Sequence, residues 1–336
     1  MKISATIKPT YNDQEGLEDL LESGVDIIRL PFWRISEEQM IRNIKLIKHY
    51  TQERGLNIEI LIDLPGNKIR FGNFRDSEAE FVPGKDYRLF EGSLSPNAFT
   101  LPVEFPGFVS LCSEGDELVC GDGEAVLNVV SKDSSSLLVK TEYPSRIASK
   151  KGLSITGKDS HLLERDFSFV DYGTSFATQY NLNWLALSFT SNPQQVVYAK
   201  NQLQKNGNQS TKVMAKIESR SGIENLNDII KVSDGIMIAR GDLVAYLDYS
   251  LLGMYQKMII ERCREENKFC MLSTGIMMGL LSKARPTPAE ISDVTSAILS
   301  GVDSIQFCEE TANGQNPEYV VRIARQIINS VTDFYK

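Results

Sequence analysis

Short aliphatic runs alternate along the chain with longer segments whose apolar residues recur at helical spacing. The runs Ile3–Ile7, Asp26–Leu30, Ile58–Ile62, Asn183–Phe189, Lys212–Lys216, Gly235–Ala239, Phe269–Ser273 and Asp303–Phe307 predict eight β-strands. Strands alternating with helices imply a parallel sheet covered by helices, and eight such units suggest closure. The fold class predicted is therefore α/β, a (β/α)₈ TIM barrel. Helix starts agree with this reading. Asn12 precedes Glu15, Ser36 precedes Gln39 and Thr287 precedes Glu290, each by the three residues of a capping box.

The alternation breaks once, after Asp63. From there to about residue 166 the chain carries turn punctuation: Pro65-Gly66, Pro83-Gly84, Pro106-Gly107 and Gly121-Asp122-Gly123. Between the turns lie β-rich runs at Glu117–Cys120, Ala125–Val130 and Leu137–Thr141. This predicts a small all-β domain inserted after strand 3. The barrel is expected over 1–66 and 160–336, and the inserted domain, barrel-like and able to act as a lid, over 67–159.

Length and charge narrow the function. A chain of 336 residues with 42% hydrophobic content can hold a full barrel of roughly 250 residues and one small domain. Lys and Arg number 36 against 44 Asp and Glu, a net charge of −8, which argues against nucleic acid and anionic membrane as partners. No apolar stretch approaches the ~20 residues of a membrane span. The five cysteines form no CxxC pair, and neither His49 nor His161 lies near a cysteine cluster. Zinc and a disulfide framework are thus unexpected, and reduced thiols in the cytoplasm are the natural reading.

Chemistry gathers at the predicted C-terminal strand ends, where barrel active sites sit. Arg29, Asp63, Lys216, Glu218, Asp242, Thr274 and the Glu309-Glu310-Thr311 run all fall there. Two carboxylates from neighbouring strands, Glu218 and Asp242, suit a hard cation such as Mg²⁺ or Mn²⁺. A nearby ammonium, Lys216, could offset charge on a transferring phosphoryl group. A structural ion pair between strands is the alternative reading of the same residues. Gly241 permits close backbone approach to a ligand, or is an ordinary turn glycine. His49 is expected on a polar helix face, Met271, Met277 and Met278 in packing, and Glu265-Glu266 at a solvated helix end. Cys308, the only cysteine at the predicted rim, reads more readily as a serine substitute than as a nucleophile.

These residues resemble the pyruvate kinase family. Met214-Ala-Lys-Ile-Glu218 and the run Val232 to Leu243, with Ala-Arg-Gly-Asp242 inside it, are similar to that family's central signature. So are Ala284 to Glu290 with Asp293-Val294, and Glu310-Thr-Ala-Asn-Gly314 followed by Pro317. Lys2–Ile7, Asp63 to Arg70, Gly115-Asp116 and Lys150-Lys151-Gly152 extend the similarity over nearly the whole chain. The resemblance implies Mg²⁺ (or Mn²⁺) on Glu218 and Asp242, and Lys216 stabilising the phosphoryl group in flight. It implies Arg29 on the substrate phosphate, and Gly241, Asp242 and Thr274 on the pyruvate carboxylate. Arg70 would lie by the nucleotide phosphates. Lys68 stands where K⁺-independent relatives carry lysine, so its ammonium would replace the monovalent cation and K⁺ would not be required.

The chain also departs from the family's pattern. Pro31 and Trp33 replace side chains that help ligate K⁺ and shape the phosphate site. Leu64 follows Asp63, Val244 and Gly275 stand where the family has Gly and Gln, and Cys308-Glu309 replace Ser-Gly, whose serine belongs to a proton relay. The family's C-terminal effector domain has no counterpart before Lys336, so no response to sugar phosphates is expected.

Three functions remain. The leading one is Mg-dependent phosphoryl transfer between phosphoenolpyruvate and ADP, giving pyruvate and ATP. The second is a metal-dependent 2-oxo-acid lyase or aldolase working through a pyruvate enolate. The third is a non-catalytic ligand-binding paralogue. Arg70 and Asp63 favour the first, since enolate chemistry needs no nucleotide clamp; Pro31, Trp33 and Cys308 favour the second. A homo-oligomer is compatible with all three.

Overall fold

The computed structural model describes residues 1–8, 14–32, 35–159 and 167–335. The chain forms two compact units. The first comprises Met1–Pro65, Asp166–Arg240 and Gly253–Lys336, the second Gly66–Arg165 with Gly241–Leu252.

The first unit is a closed parallel barrel. Its strands begin with β1 (Lys2–Thr6), β2 (Ile27–Pro31) and β3 (Glu59–Asp63). The intervening strands β4 to β11 belong to the second unit. The barrel resumes with β12 (Trp184–Leu187), β13 (Lys212–Ile217), β14 (Gly235–Ala239), β15 (Phe269–Ser273) and β16 (Ser304–Phe307). Every neighbouring pair is parallel, and β1 closes the ring on β16 with Ile3 opposite Ile305. Strands such as Glu-Ile-Leu-Ile-Asp and Gly-Ile-Met-Ile-Ala are nearly continuous aliphatic runs, as burial on both faces demands. Ile27, Leu61, Trp184, Ala186, Met214, Met237 and Met271 form one buried cluster. Methionine suits such an irregular space because its unbranched chain adapts to the gap. The Trp184 indole donates to Glu59 Oε2 at 3.1 Å, so its one polar atom is satisfied.

The predicted strand ends need small corrections. The run expected to reach Phe189 stops at Leu187, because Phe189 takes a left-handed φ of 50° and turns the chain. The run expected to stop at Lys216 continues to Ile217, leaving Glu218 one residue beyond the strand. The first strand lies one residue earlier than Ile3–Ile7.

Two of the predicted capping boxes are present. Ser36 caps the helix Glu37–Arg54 with Gln39, and Thr287 caps Pro288–Ser300 with Glu290. Asn192 with Gln195, ahead of Pro193–Lys205, is a third that the sequence reading passed over. The Asn12 box and His161 fall outside the described residues. His49 lies exposed on the first of these helices, near Glu53. In the Thr287 box Glu290 also accepts from the backbone N of Gly279, tying the helix to the preceding loop. Thr287→Ala is expected to lower unfolding stability by about 0.5–2 kcal/mol, read by chemical denaturation. A change within error would mean that water replaces the cap at no cost.

The second unit is β-rich. Its strands are β4 (Glu78–Phe81), β5 (Tyr87–Glu91), β6 (Thr100–Val103), β7 (Glu117–Cys120), β8 (Ala125–Lys132), β9 (Ser136–Lys140), β10 (Ser145–Ala148) and β11 (Leu153–Ile155). Six form one sheet in the order β11-β7-β8-β9-β5-β6, and β10 pairs with β4. Alternating inward residues, among them Phe71, Phe81, Tyr87, Leu89, Leu127 and Val139, make a separate core. Gly121 and Gly123, at φ 63° and 97°, turn the chain between β7 and β8, a conformation that a side chain would strain.

Candidate functional site

Parallel strands in register bring their C-terminal ends to one rim, and four ionisable side chains meet there inside the first unit. Arg29 comes from β2, Asp63 is the last residue of β3, Lys216 comes from β13, and Glu218 follows it. Arg29 donates to Asp63 Oδ2 from Nε at 2.8 Å and from Nη2 at 2.6 Å. On its other side, Arg29 Nη1 donates to Thr6 Oγ1 at 2.9 Å. Lys216 Nζ reaches Asp63 Oδ1 at 3.1 Å, Ser188 Oγ at 2.8 Å and Glu218 Oε1 at 3.1 Å. The result is an alternating row, Arg29–Asp63–Lys216–Glu218, in which one carboxylate bridges two cations.

All four are buried, Asp63 completely and none above 8% exposed. A buried charge is tolerated only when paired and hydrogen-bonded. Burial alone would lower the Arg29 pKa, but its neighbours, Asp63 foremost and Glu218 among the others, together outweigh it and hold the guanidinium above its ordinary value. Glu218 Oε2 accepts from the backbone N of Phe189 at 2.6 Å. The left-handed φ of Phe189 is thus part of the site. A bulky residue in that region costs of order 1–3 kcal/mol and persists where its surroundings over-determine it.

A second strained residue stands at the end of β15. Thr274, a β-branched residue, has φ 75°, and Gly275 follows at 67°. Arg240 holds this turn, donating from Nε to the Thr274 carbonyl and from Nη2 to the Gly275 carbonyl, both at 3.0 Å. Its Nη1 is anchored on Asp293 at 2.8 Å. Arg240 and Asp293 fall within motifs of the sequence, but their spacing predicts no role for either. Their pairing joins positions 53 residues apart, so only the fold reveals it.

The acidic run after β16 divides. Glu310, counted with the rim charges, is fully buried and accepts from the backbone N of Ile276, Met277 and Cys308. It holds loop backbone together, because buried N–H groups need acceptors. Cys308 is half-buried, and the other four cysteines are buried. Pro31 ends β2, and Trp33 lies outside the described residues.

In the second unit Asp242 sits in the first turn of the short helix Arg240–Tyr246 that directly follows β14. Lys68 donates to Asp242 Oδ1. Burial would depress the Lys68 ammonium, but Asp242 outweighs it and raises its pKa. Gly152 makes room for this lysine, since a Cβ there would stand 2.1 Å from Lys68 Cε. Asp122, not singled out from sequence, belongs to the same group; its pKa is raised, first by burial, and Lys68 opposes the shift. Arg70 pairs with Gly152 in an antiparallel bridge and donates from Nη1 to the Lys150 carbonyl at 3.2 Å.

Among the described residues no group of three or more His, Cys, Asp or Glu could hold a metal. Mg²⁺ takes one or two carboxylates and fills its sphere with water and substrate oxygens. Glu218 and Asp242 are hard oxygen donors of that kind. Each engages protein donors, and a carboxylate offers about four acceptor positions over its two oxygens.

A closed eight-strand parallel barrel with cations and carboxylates crowded at its C-terminal rim defines a (β/α)₈ protein whose ionisable side chains gather where barrel active sites sit. Comparison with known proteins narrows the class. Residues 1–321 match the family model described as pyruvate kinase, barrel domain. The chain belongs to the pyruvate kinase family. It is 28% identical over 333 residues to a pyruvate kinase of Thermotoga maritima, covering 97% of this chain and 70% of that protein. Against a pyruvate kinase of Chlamydia pneumoniae the figures are 32% over 331 residues, 97% and 67%. The crystal structure of a pyruvate kinase from Cryptosporidium parvum superposes with a TM-score of 0.87 at 26% identity, over 99% of this chain and 69% of that one. The chain therefore spans about two thirds of the length of these relatives.

Proposed function

We propose that this protein transfers a phosphoryl group between phosphoenolpyruvate and ADP. The observation that carries the reading is the buried row Arg29–Asp63–Lys216–Glu218 at the barrel rim, in a member of this family. Phosphoryl transfer needs positioning and neutralisation rather than covalent help from the protein. Lys216 is assigned to the phosphoryl group in flight and Arg29 to the substrate phosphate. Thr274, Gly241 and Asp242 are assigned to the pyruvate carboxylate, Arg70 to the nucleotide phosphates. Glu218 and Asp242 would hold Mg²⁺ or Mn²⁺, which supplies charge neutralisation at the phosphate oxygens. A cytoplasmic setting fits these substrates, and no described helix is long and apolar enough to cross a membrane.

The direct test is a coupled assay of pyruvate formation from phosphoenolpyruvate and ADP with Mg²⁺. No turnover over the metal-free background would sink the proposal. Solvent deuterium exchange into the pyruvate methyl group without ATP formation would favour the lyase reading, for which Cys308 in the rim is the specific motive.

Two further outcomes are expected. The Lys68 ammonium already lies on Asp242, so activity should be nearly flat from zero to high K⁺. Strong K⁺ activation of the unaltered protein would rule out the lysine as substitute cation. Asp242→Asn should weaken Mn²⁺ binding, followed by electron paramagnetic resonance, by about tenfold or more, the scale of one lost charged contact. Unaltered affinity would remove Asp242 from the metal site.

A further inference from the structure

The barrel interior carries polar side chains that the reading above does not use. Ser4 and Gln306 are fully buried and Ser273 is 2% exposed. Barrel interiors are normally filled by branched aliphatic residues, and a buried polar group is costly unless bonded. These three are bonded to one another and to the rim. Ser4 Oγ donates to Gln306 Oε1 at 3.3 Å, and Gln306 Nε2 donates to Ser273 Oγ at 2.9 Å. Ser273 Oγ lies 3.4 Å from Cys308 Sγ. Gln306 Nε2 and Arg29 Nη1 each approach the same sulfur at 3.8 Å.

Donor chemistry gives the row a direction. An amide nitrogen only donates, so Ser273 Oγ accepts from Gln306 and has its own proton to give. Its partner on the rim side is the sulfur of Cys308. Two donors, one amide and one guanidinium, together with the Ser273 hydroxyl, which can donate to the sulfur or accept from its S–H, converge on Sγ from β16, β15 and β2. Arg29 is held between this sulfur and Thr6 on one side and Asp63 on the other.

We propose that Gln306 is a positioning residue which, through Ser273, fixes the Cys308 thiol and with it Arg29 at the barrel rim. The part of this that concerns ligand binding rests on the phosphoenolpyruvate reading; the fixing of the thiol does not. Gln306 touches no ligand in this role. It sets the orientation of the sulfur against which the guanidinium packs.

The test uses Gln306→Met, which keeps length and loses the amide, and Ser273→Ala, which removes one hydroxyl. The first readout is the rate at which iodoacetamide alkylates Cys308 in the folded protein at pH 8, followed by peptide mass spectrometry. Cys308 is distinguishable because the other four cysteines are buried. A thiol held by these contacts presents one face of its sulfur to the reagent, so losing a contact changes the rate of alkylation. A change of about threefold or more is expected in both variants, the scale of one lost hydrogen bond. The second readout is kinetic: KM for phosphoenolpyruvate should rise severalfold with kcat changed much less, through Arg29. An unchanged alkylation rate in folded Ser273→Ala overturns the proposal, and this variant decides the matter if Gln306→Met does not fold. An unaltered protein without phosphotransferase activity would end the kinase reading and leave the alkylation result to judge the positioning role. Altered melting temperature with unchanged alkylation would show Gln306 to be packing alone.

Discussion

Asp63→Asn should destabilise the fold by about 3–5 kcal/mol, the scale of breaking a buried ion pair by removing one partner. Asp63 is fully buried and its carboxylate is shared by Arg29 and Lys216. The amide keeps the volume but takes away the charge that both cations face. Lys216 retains Glu218 at 3.1 Å. Arg29 stays charged whatever it faces, because a guanidinium keeps its proton in proteins. The cost should therefore fall mainly on Arg29. Denaturant unfolding of the two proteins measures it, with a midpoint shift at constant slope. Since domains are stable by only about 5–15 kcal/mol, the variant should be visibly fragile. A loss below about 1 kcal/mol would show that the Arg29–Asp63–Lys216 row is not what holds the rim together. Arg29→Met with Asp63→Asn should recover part of the loss, since removing both charges avoids an unpaired one.

Arg70→Ala should cut phosphoryl transfer by about 10² or more, the scale of losing one preorganised charge-stabilising donor. The same change should leave solvent deuterium exchange into pyruvate much less affected. The contrast follows from what each reaction must neutralise. Transfer between two phosphate-bearing ligands needs cations along the donor and the acceptor alike, and Arg70 is the one assigned to the nucleotide. Enolisation of pyruvate develops charge on one small molecule and has no use for it. Arg70 is tied to its own unit through the bridge to Gly152 and the Lys150 carbonyl, so its loss should disturb the β-rich core little. Equal losses in both reactions would mean that Arg70 supports the fold of the insert rather than a nucleotide. No loss in either would remove it from the site.

Much of the architecture was legible in the sequence because its signals are local. An aliphatic run of five bounded by turn residues reads as a buried strand wherever it lies, and Gly235–Ala239 and Phe269–Ser273 were found to the residue. A capping box is a three-residue contact, so Ser36 with Gln39 and Thr287 with Glu290 needed no tertiary information. Their place at the predicted strand ends singled out Lys216, Glu218 and Asp242, and the family resemblance supplied the roles expected of them. What they touch was not legible in the same way. Lys216 meets Asp63 across 153 residues, and Arg29 meets it across 34.

The sequence by itself determined the eight strands, the break for a β-rich insert, the chemistry available at the strand ends and, through resemblance, the family. The tertiary structure alone decided which of those charges are partners. It drew Glu310 off the rim to accept three backbone N–H groups, and placed Lys68 on Asp242. It also turned Gln306 into the middle of a polar row between Ser4 and Ser273. The reason is register. Side-chain alternation along one strand has period two and can be read locally, but both faces of a barrel strand are buried, so the pattern does not say which face looks inward. Closure of all eight strands sets that choice for Gln306, and brings Arg29 and Asp63 within a hydrogen bond of each other.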